Sequence, residues 1–137
     1  MSETHKPIIR RFIEEAINKG NFSVLDEVIH PDYTYRSPDQ ELQGIESLKG
    51  LFTAYRVAFP NLNMQIDDLI IDGDKTVTCF TLTGLHDGDL MGIAATGKQV
   101  KVNGMILSRF EDDKIIEEWE ILDQFTMFQQ LGIVSLP

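Results

Sequence analysis

The hydrophobic pattern changes period at Pro60, from helical spacing to strand alternation. Ahead of it, apolar residues recur at helical spacing: Ile9, Phe12, Ile13, Ala16 and Ile17, then Ile45, Leu48, Phe52, Tyr55 and Phe59. Beyond it, apolar and polar residues alternate, and turn sequences such as Asp72-Gly73-Asp74 and Glu111-Asp112-Asp113 separate the runs. The expected helices are residues 5–19, with Gly20 as C-cap, a short one from Ser23, and Gly44 to Phe59. The expected strands are Tyr33–Arg36, Met64–Ile71, Lys75–His86, Lys98–Phe110 and Lys114–Asp123. A loop with three glycines spans Asp87 to Gly97, and a short helix over Phe125–Gln130 closes the chain.

Helices followed by consecutive hairpin strands predict an α+β fold, with helices packed on one face of a curved antiparallel sheet. The length, 137 residues, suits a single domain over 1–137 with room for a core and a ligand cavity.

Strand alternation then sorts the faces. Phe80, Leu82 and His86 are assigned to the concave side with Val100, Val102, Ile106 and Phe110. On the last strand Ile115, Trp119, Ile121 and Asp123 share a face, the more apolar of the two, which is therefore assigned inward. Asp123 and His86 become the candidate acid–base residues of an apolar pocket. Each has a plainer reading: Asp123 is well placed to cap the final helix, and His86 to face solvent in a turn. The opposite faces carry Cys79, Leu85, Met105, Leu107, Ile116 and Leu122. This is more apolar surface than a solvated sheet face needs, and a homodimer packed through the outer face would cover it.

Formal net charge is −10, which argues against nucleic acid and anionic membrane as partners and leaves a small apolar molecule. One cysteine, Cys79, allows no internal disulfide, and the N-terminal residues carry no apolar signal segment, so a cytoplasmic location is expected. Phosphate loops, dinucleotide fingerprints and nucleophile elbows are absent from the sequence. His5, His30 and His86 have no metal-type spacing. The expected chemistry is proton transfer without cofactor or metal.

Several motifs in order resemble the SnoaL-like polyketide cyclases of the nuclear transport factor 2-like superfamily. They are His30-Pro31-Asp32-Tyr33, Ala58-Phe59-Pro60-Asn61, Gly84-Leu85-His86-Asp87-Gly88, Leu90-Met91-Gly92, Thr96-Gly97-Lys98, and the tail from Arg109 through Trp119 and Asp123 to Gly132. The resemblance implies a cone-shaped α+β barrel and an intramolecular aldol ring closure on a polyketide ester, with a pocket acid and no metal. Asp123 fits that acid, with Glu120 as the alternative if the strand end slips by alignment. Phe12, Phe52, Tyr55, Phe80 and Trp119 would form the walls and Tyr35 would stand at the mouth. Ile106, or a neighbour, stands where the family pattern has a second histidine. A non-catalytic module that binds an apolar ligand or dimerises is the competing reading. An isomerase or epoxide hydrolase would need further polar partners, and no Asp–Arg–Asp set lies on the inward faces.

Overall fold

The computed structural model describes residues 4–135. Helix α1 (His5–Arg11) runs into a widened π turn (Phe12–Ile17), closed by the Asn18 N–H donating to the Ile13 carbonyl at 2.9 Å. Residues five apart diverge by roughly 140° on an α-helix. The i→i+5 turn brings Phe12 and Ile17 back to one side, and both line the same chamber. A 3₁₀ turn (Phe22–Val24) leads into the short α2 (Leu25–Val28), and α3 spans Ile45–Ala58.

The strands are β1 (Ile29–Ser37), β2 (Gln40–Gln43), β3 (Asn63–Asp72), β4 (Lys75–Leu85), β5 (Gln99–Glu111) and β6 (Lys114–Leu122), followed by α4 (Gln124–Gln130). Their order in the sheet is β2-β1-β6-β5-β4-β3. The α+β expectation holds, with two refinements. The sheet is mixed, because β1 runs parallel to β6, its neighbour across the sheet. The loop after Ser37 is a tight turn into an added edge strand, β2.

The helices cover the concave face, where Phe12, Ile13, Leu48, Phe59, Phe80, Val100 and Ile115 are all at most 1% exposed. Burying each such side chain contributes about 1.5–3 kcal/mol. The predicted faces of β4 and β5 are those observed. Gly104 on β5 leaves room for the Phe80 ring, whose Cζ would lie 2.4 Å from an added Cβ. Phe80 is therefore packed into the sheet and does not line the cavity. Gly88 admits a still closer approach, since a Cβ there would sit 2.0 Å from the Val57 carbonyl oxygen. That contact is with backbone, so Gly88→Ala is expected to cost roughly 1–3 kcal/mol in denaturant unfolding.

The face of β6 differs from the one predicted. Phe110 pairs with Ile115, but Arg109 pairs with Glu117, so Ile116 is an extra residue in the strand. Ile115 and Ile116 are both buried, and after this bulge the alternation is reversed. Glu118, Glu120 and Leu122 face the chamber, while Trp119 and Ile121 are 39% and 61% exposed. Trp119 lies on the outer face under the Arg36 guanidinium, 5.3 Å from the ring centroid.

Candidate active site

The chamber is bounded by Phe12 and Ile17 of the π turn, by Leu48, Leu51, Phe52 and Tyr55 of α3, and by Tyr35, Leu62, Met64, Leu82, Ile106, Glu118, Glu120 and Leu122. Its cavity volume is about 50 Å³. Of the expected wall residues, Phe12, Tyr35, Phe52, Tyr55 and Ile106 line it, whereas Phe80 and Trp119 do not. Leu51 and Tyr55 also border an outer groove that carries Asp39 and Asp89.

Register across β1, β6 and β5 builds two parallel rows of side chains. In the first, the Tyr33 hydroxyl donates to Glu118 Oε1 at 2.6 Å and the Ser108 hydroxyl donates to Oε2 at 2.9 Å. In the second, the Tyr35 hydroxyl donates to Glu120 Oε1, and the cross-strand partner of Glu120 is Ile106. The two tyrosines are two residues apart on one strand and the two glutamates two apart on the other, so each pair points the same way. Glu118 is 2% exposed, with a donor on each oxygen. Glu120 is half-buried, with a donor on one oxygen.

Burial dominates the electrostatics. It raises Glu118 to about 7, against the lowering effect of the Tyr33 and Ser108 hydrogen bonds. Burial also raises Glu120, opposed by the Tyr35 hydrogen bond and reinforced by the Asp39 charge at the groove. Tyr55 is pushed up to about 12 by burial, then by the charges of Glu120 and Asp39. Tyr33 and Tyr35 are raised further by the same combination of burial and a neighbouring glutamate, so both remain hydrogen-bond donors.

Asp123, the preferred acid of the sequence reading, is exposed and caps α4. It accepts from the Thr126 N–H at 3.1 Å and from the Thr126 hydroxyl at 2.6 Å, and these bonds hold its carboxyl below the usual value. It is not on the chamber wall; the bulge moved the inward acids to Glu118 and Glu120. Asp123→Ala is expected to lower the melting temperature slightly through loss of the cap, with chamber chemistry unchanged.

His86 is fully buried and lies outside the chamber lining. Its Nδ1 accepts the Thr96 N–H at 3.2 Å and lies 2.9 Å from the Thr96 hydroxyl, while the Phe59 ring centroid is 5.5 Å away. With Nδ1 an acceptor, the neutral ring carries its proton on Nε2. His86 thus pins the loop before β5 and is not brought next to either glutamate.

His30, Glu111 and Asp112 place potential ligand atoms within 4.8 Å of one another. His30 Nδ1 accepts the Asp32 N–H at 3.0 Å, which leaves the proton on Nε2, 3.3 Å from Glu111 Oε2. That geometry suits a histidine–carboxylate contact better than a metal ligand.

Glu118 was missed from sequence because the rule of the more apolar face outvoted it. The available signal was the matched spacing of Tyr33/Tyr35 and Glu118/Glu120, combined with Ile115-Ile116 as adjacent apolar residues at a strand start. Among the described residues, no helix is long and apolar enough to cross a membrane.

Comparison with known proteins agrees with this fold. The profile of the SnoaL-like polyketide cyclase family matches residues 8–131. Aklanonic acid methyl ester cyclase DnrD of Streptomyces peucetius is 28% identical over 133 residues, which span 94% of this chain and 91% of that protein. The corresponding cyclase DauD of Streptomyces sp. (strain C5) is 27% identical over 132 residues, covering 91% and 80% respectively. The structure of TsrD from Streptomyces laurentii superposes with a TM-score of 0.89 at 27% identity, covering 98% of each chain. With the helix-covered curved sheet and its enclosed chamber, these matches place the chain in the SnoaL-like polyketide cyclase family, on the nuclear transport factor 2-like fold.

Proposed function

We propose that the chamber catalyses proton transfer at a carbon next to a carbonyl, as an intramolecular aldol ring closure requires, on a small apolar ester and without cofactor. The observation that carries this reading is Glu120: a carboxyl among the apolar side chains that line the chamber, held by the Tyr35 hydroxyl. Burial raises its basicity, and the Tyr35 hydrogen bond opposes that rise. The cross-strand partner of Glu120 is Ile106, so Glu120 acts without a histidine at that position. His86 contributes by holding the loop that leads into β5.

The test is incubation of the purified protein with aklanonic acid methyl ester, the compound after which the two cyclases are named. The expected product is a ring-closed isomer of unchanged mass, resolved by chromatography and NMR. Formation at the rate of the protein-free control contradicts the reading and favours a module that only binds its ligand.

The outer sheet face supports a homodimer as the working form. Cross-strand neighbours Cys79, Met105 and Ile121 form one apolar row, and Val77, Leu107 and Trp119 a second, across β4, β5 and β6. Met105 and Ile121 are 56% and 61% exposed. Sedimentation equilibrium is expected to give a dimer for the wild type and a monomer for Ile121→Asp, with the circular dichroism spectrum unchanged. A wild-type monomer at micromolar concentration contradicts it.

A further inference from the structure

Ring closure needs a proton removed from carbon and another delivered to oxygen, and the chamber holds two carboxyl groups in different surroundings. Glu118 and Glu120 lie on the same face of β6, two residues apart, so their backbones are about 6.6 Å apart. Both line the chamber. Glu118 sits in a buried polar row that β1 and β5 complete with Tyr33 and Ser108, and no basic side chain figures among the groups acting on it, which are Tyr33, Ser108 and Glu120. Close by, Thr76 pairs in register with Ser108, and its hydroxyl is buried without a hydrogen-bond partner. Burial favours the neutral form of this carboxyl against the two hydroxyl donors, which favour the charged one. Glu120 has the Tyr35 donor and the more open position, so the pair divides into one acid and one base.

We propose that Glu118 is a second catalytic residue of the chamber, the neutral acid that hands a proton to the substrate's acceptor carbonyl oxygen while Glu120 takes the proton from carbon. This rests on the ring-closure reading above. In the step, the Cα–H bond breaks and its proton goes to the Glu120 carboxylate. The electron pair left on Cα forms the new bond to the acceptor carbonyl carbon. The π pair of that carbonyl moves to its oxygen, which takes the proton of Glu118. The product is a β-hydroxy compound, Glu120 ends neutral and Glu118 ends ionised. One proton passed from Glu120 back to Glu118 restores the starting state, so no proton is gained or lost. Burial holds Glu118 at about 7, which keeps a large share of it protonated at neutral pH.

The experiment has two arms. In the first, infrared spectra of the ligand-free protein are titrated from pH 5 to 9 for the wild type, Glu118→Gln, Glu120→Gln and Ser108→Ala. A protonated-carboxyl band that ionises near pH 7 is expected in the wild type. It should vanish in Glu118→Gln. In Glu120→Gln it should titrate at lower pH, because a like charge has been removed, and in Ser108→Ala at higher pH, because a bond to the carboxylate has been lost. In the second arm, turnover of aklanonic acid methyl ester by Glu118→Gln is expected to fall by roughly 10²-fold in kcat with KM little changed, and to lose the alkaline limb of its pH profile. The Ser108→Ala titration keeps the assignment testable if Glu118→Gln folds poorly. No protonated carboxyl at pH 6, or a Glu118→Gln protein with wild-type kcat and pH profile, overturns the proposal. An infrared assignment to Glu118 in a protein that turns over no ester removes the ring-closure reading and the donor step with it, and leaves a neutral acid as the finding.

Discussion

Replacing Glu120 with glutamine is expected to lower kcat for ring closure by roughly 10²–10⁴-fold, the usual contribution of a positioned general base. The change is nearly isosteric, and the new side-chain oxygen can still accept the Tyr35 hydroxyl, so the wall of the chamber is preserved. What is lost is the ability to take a proton. Ligand affinity should therefore change little, and the loss should fall on kcat. Tyr35→Phe gives the complementary result. Its hydroxyl holds the Glu120 carboxyl down, so removing it raises that group further, and the acid limb of the rate profile is expected to move to higher pH. If instead both variants keep wild-type rates and profiles, the chamber acid is not a base in the reaction.

The second large effect is on stability. Glu118 is raised from 4.5 to about 7 in the folded protein. A carboxyl raised by folding favours the native state in its protonated form. That stabilisation is complete below about pH 4.5, declines as pH rises, and is gone above about pH 7. The gap corresponds to about 3 kcal/mol. Glu120 is raised as well and adds to the decline in the same direction. Denaturant unfolding at a series of pH values should thus show stability falling between about pH 4.5 and 7 beyond what surface groups produce. Glu118→Gln should flatten most of that fall, since a neutral amide has nothing to ionise. An equally steep decline in the variant would mean that Glu118 is already ionised at low pH.

The helices, the strands after Pro60 and the inward faces of β4 and β5 were legible because each follows a single periodic rule over many residues. Phe12, Phe52, Tyr55 and Ile106 followed from those same rules. Four features were not legible. The π turn at Phe12–Ile17 realigns two residues that a regular helix would separate. The added strand β2 is a four-residue edge strand across a tight turn from β1, and the parallel pairing of β1 with β6 depends on contacts distant in sequence. The extra residue Ile116 reverses the last strand, and this alone moves the acid from Asp123 to Glu120 and brings in Glu118. A one-residue slip exchanges every side chain between faces, so the closing strand was the place where a small error mattered most. The plainer reading of Asp123, a helix cap, is the one its hydrogen bonds satisfy.

Glu120 is the group proposed to take a proton from carbon. Exchange of the proton next to the carbonyl of aklanonic acid methyl ester, followed by NMR in deuterated water, measures that event without depending on ring closure. Catalysed exchange is expected from the wild type and from Asp123→Asn, and exchange at the uncatalysed rate from Glu120→Gln. Exchange by Glu120→Gln at the wild-type rate, or its loss in Asp123→Asn, would contradict it.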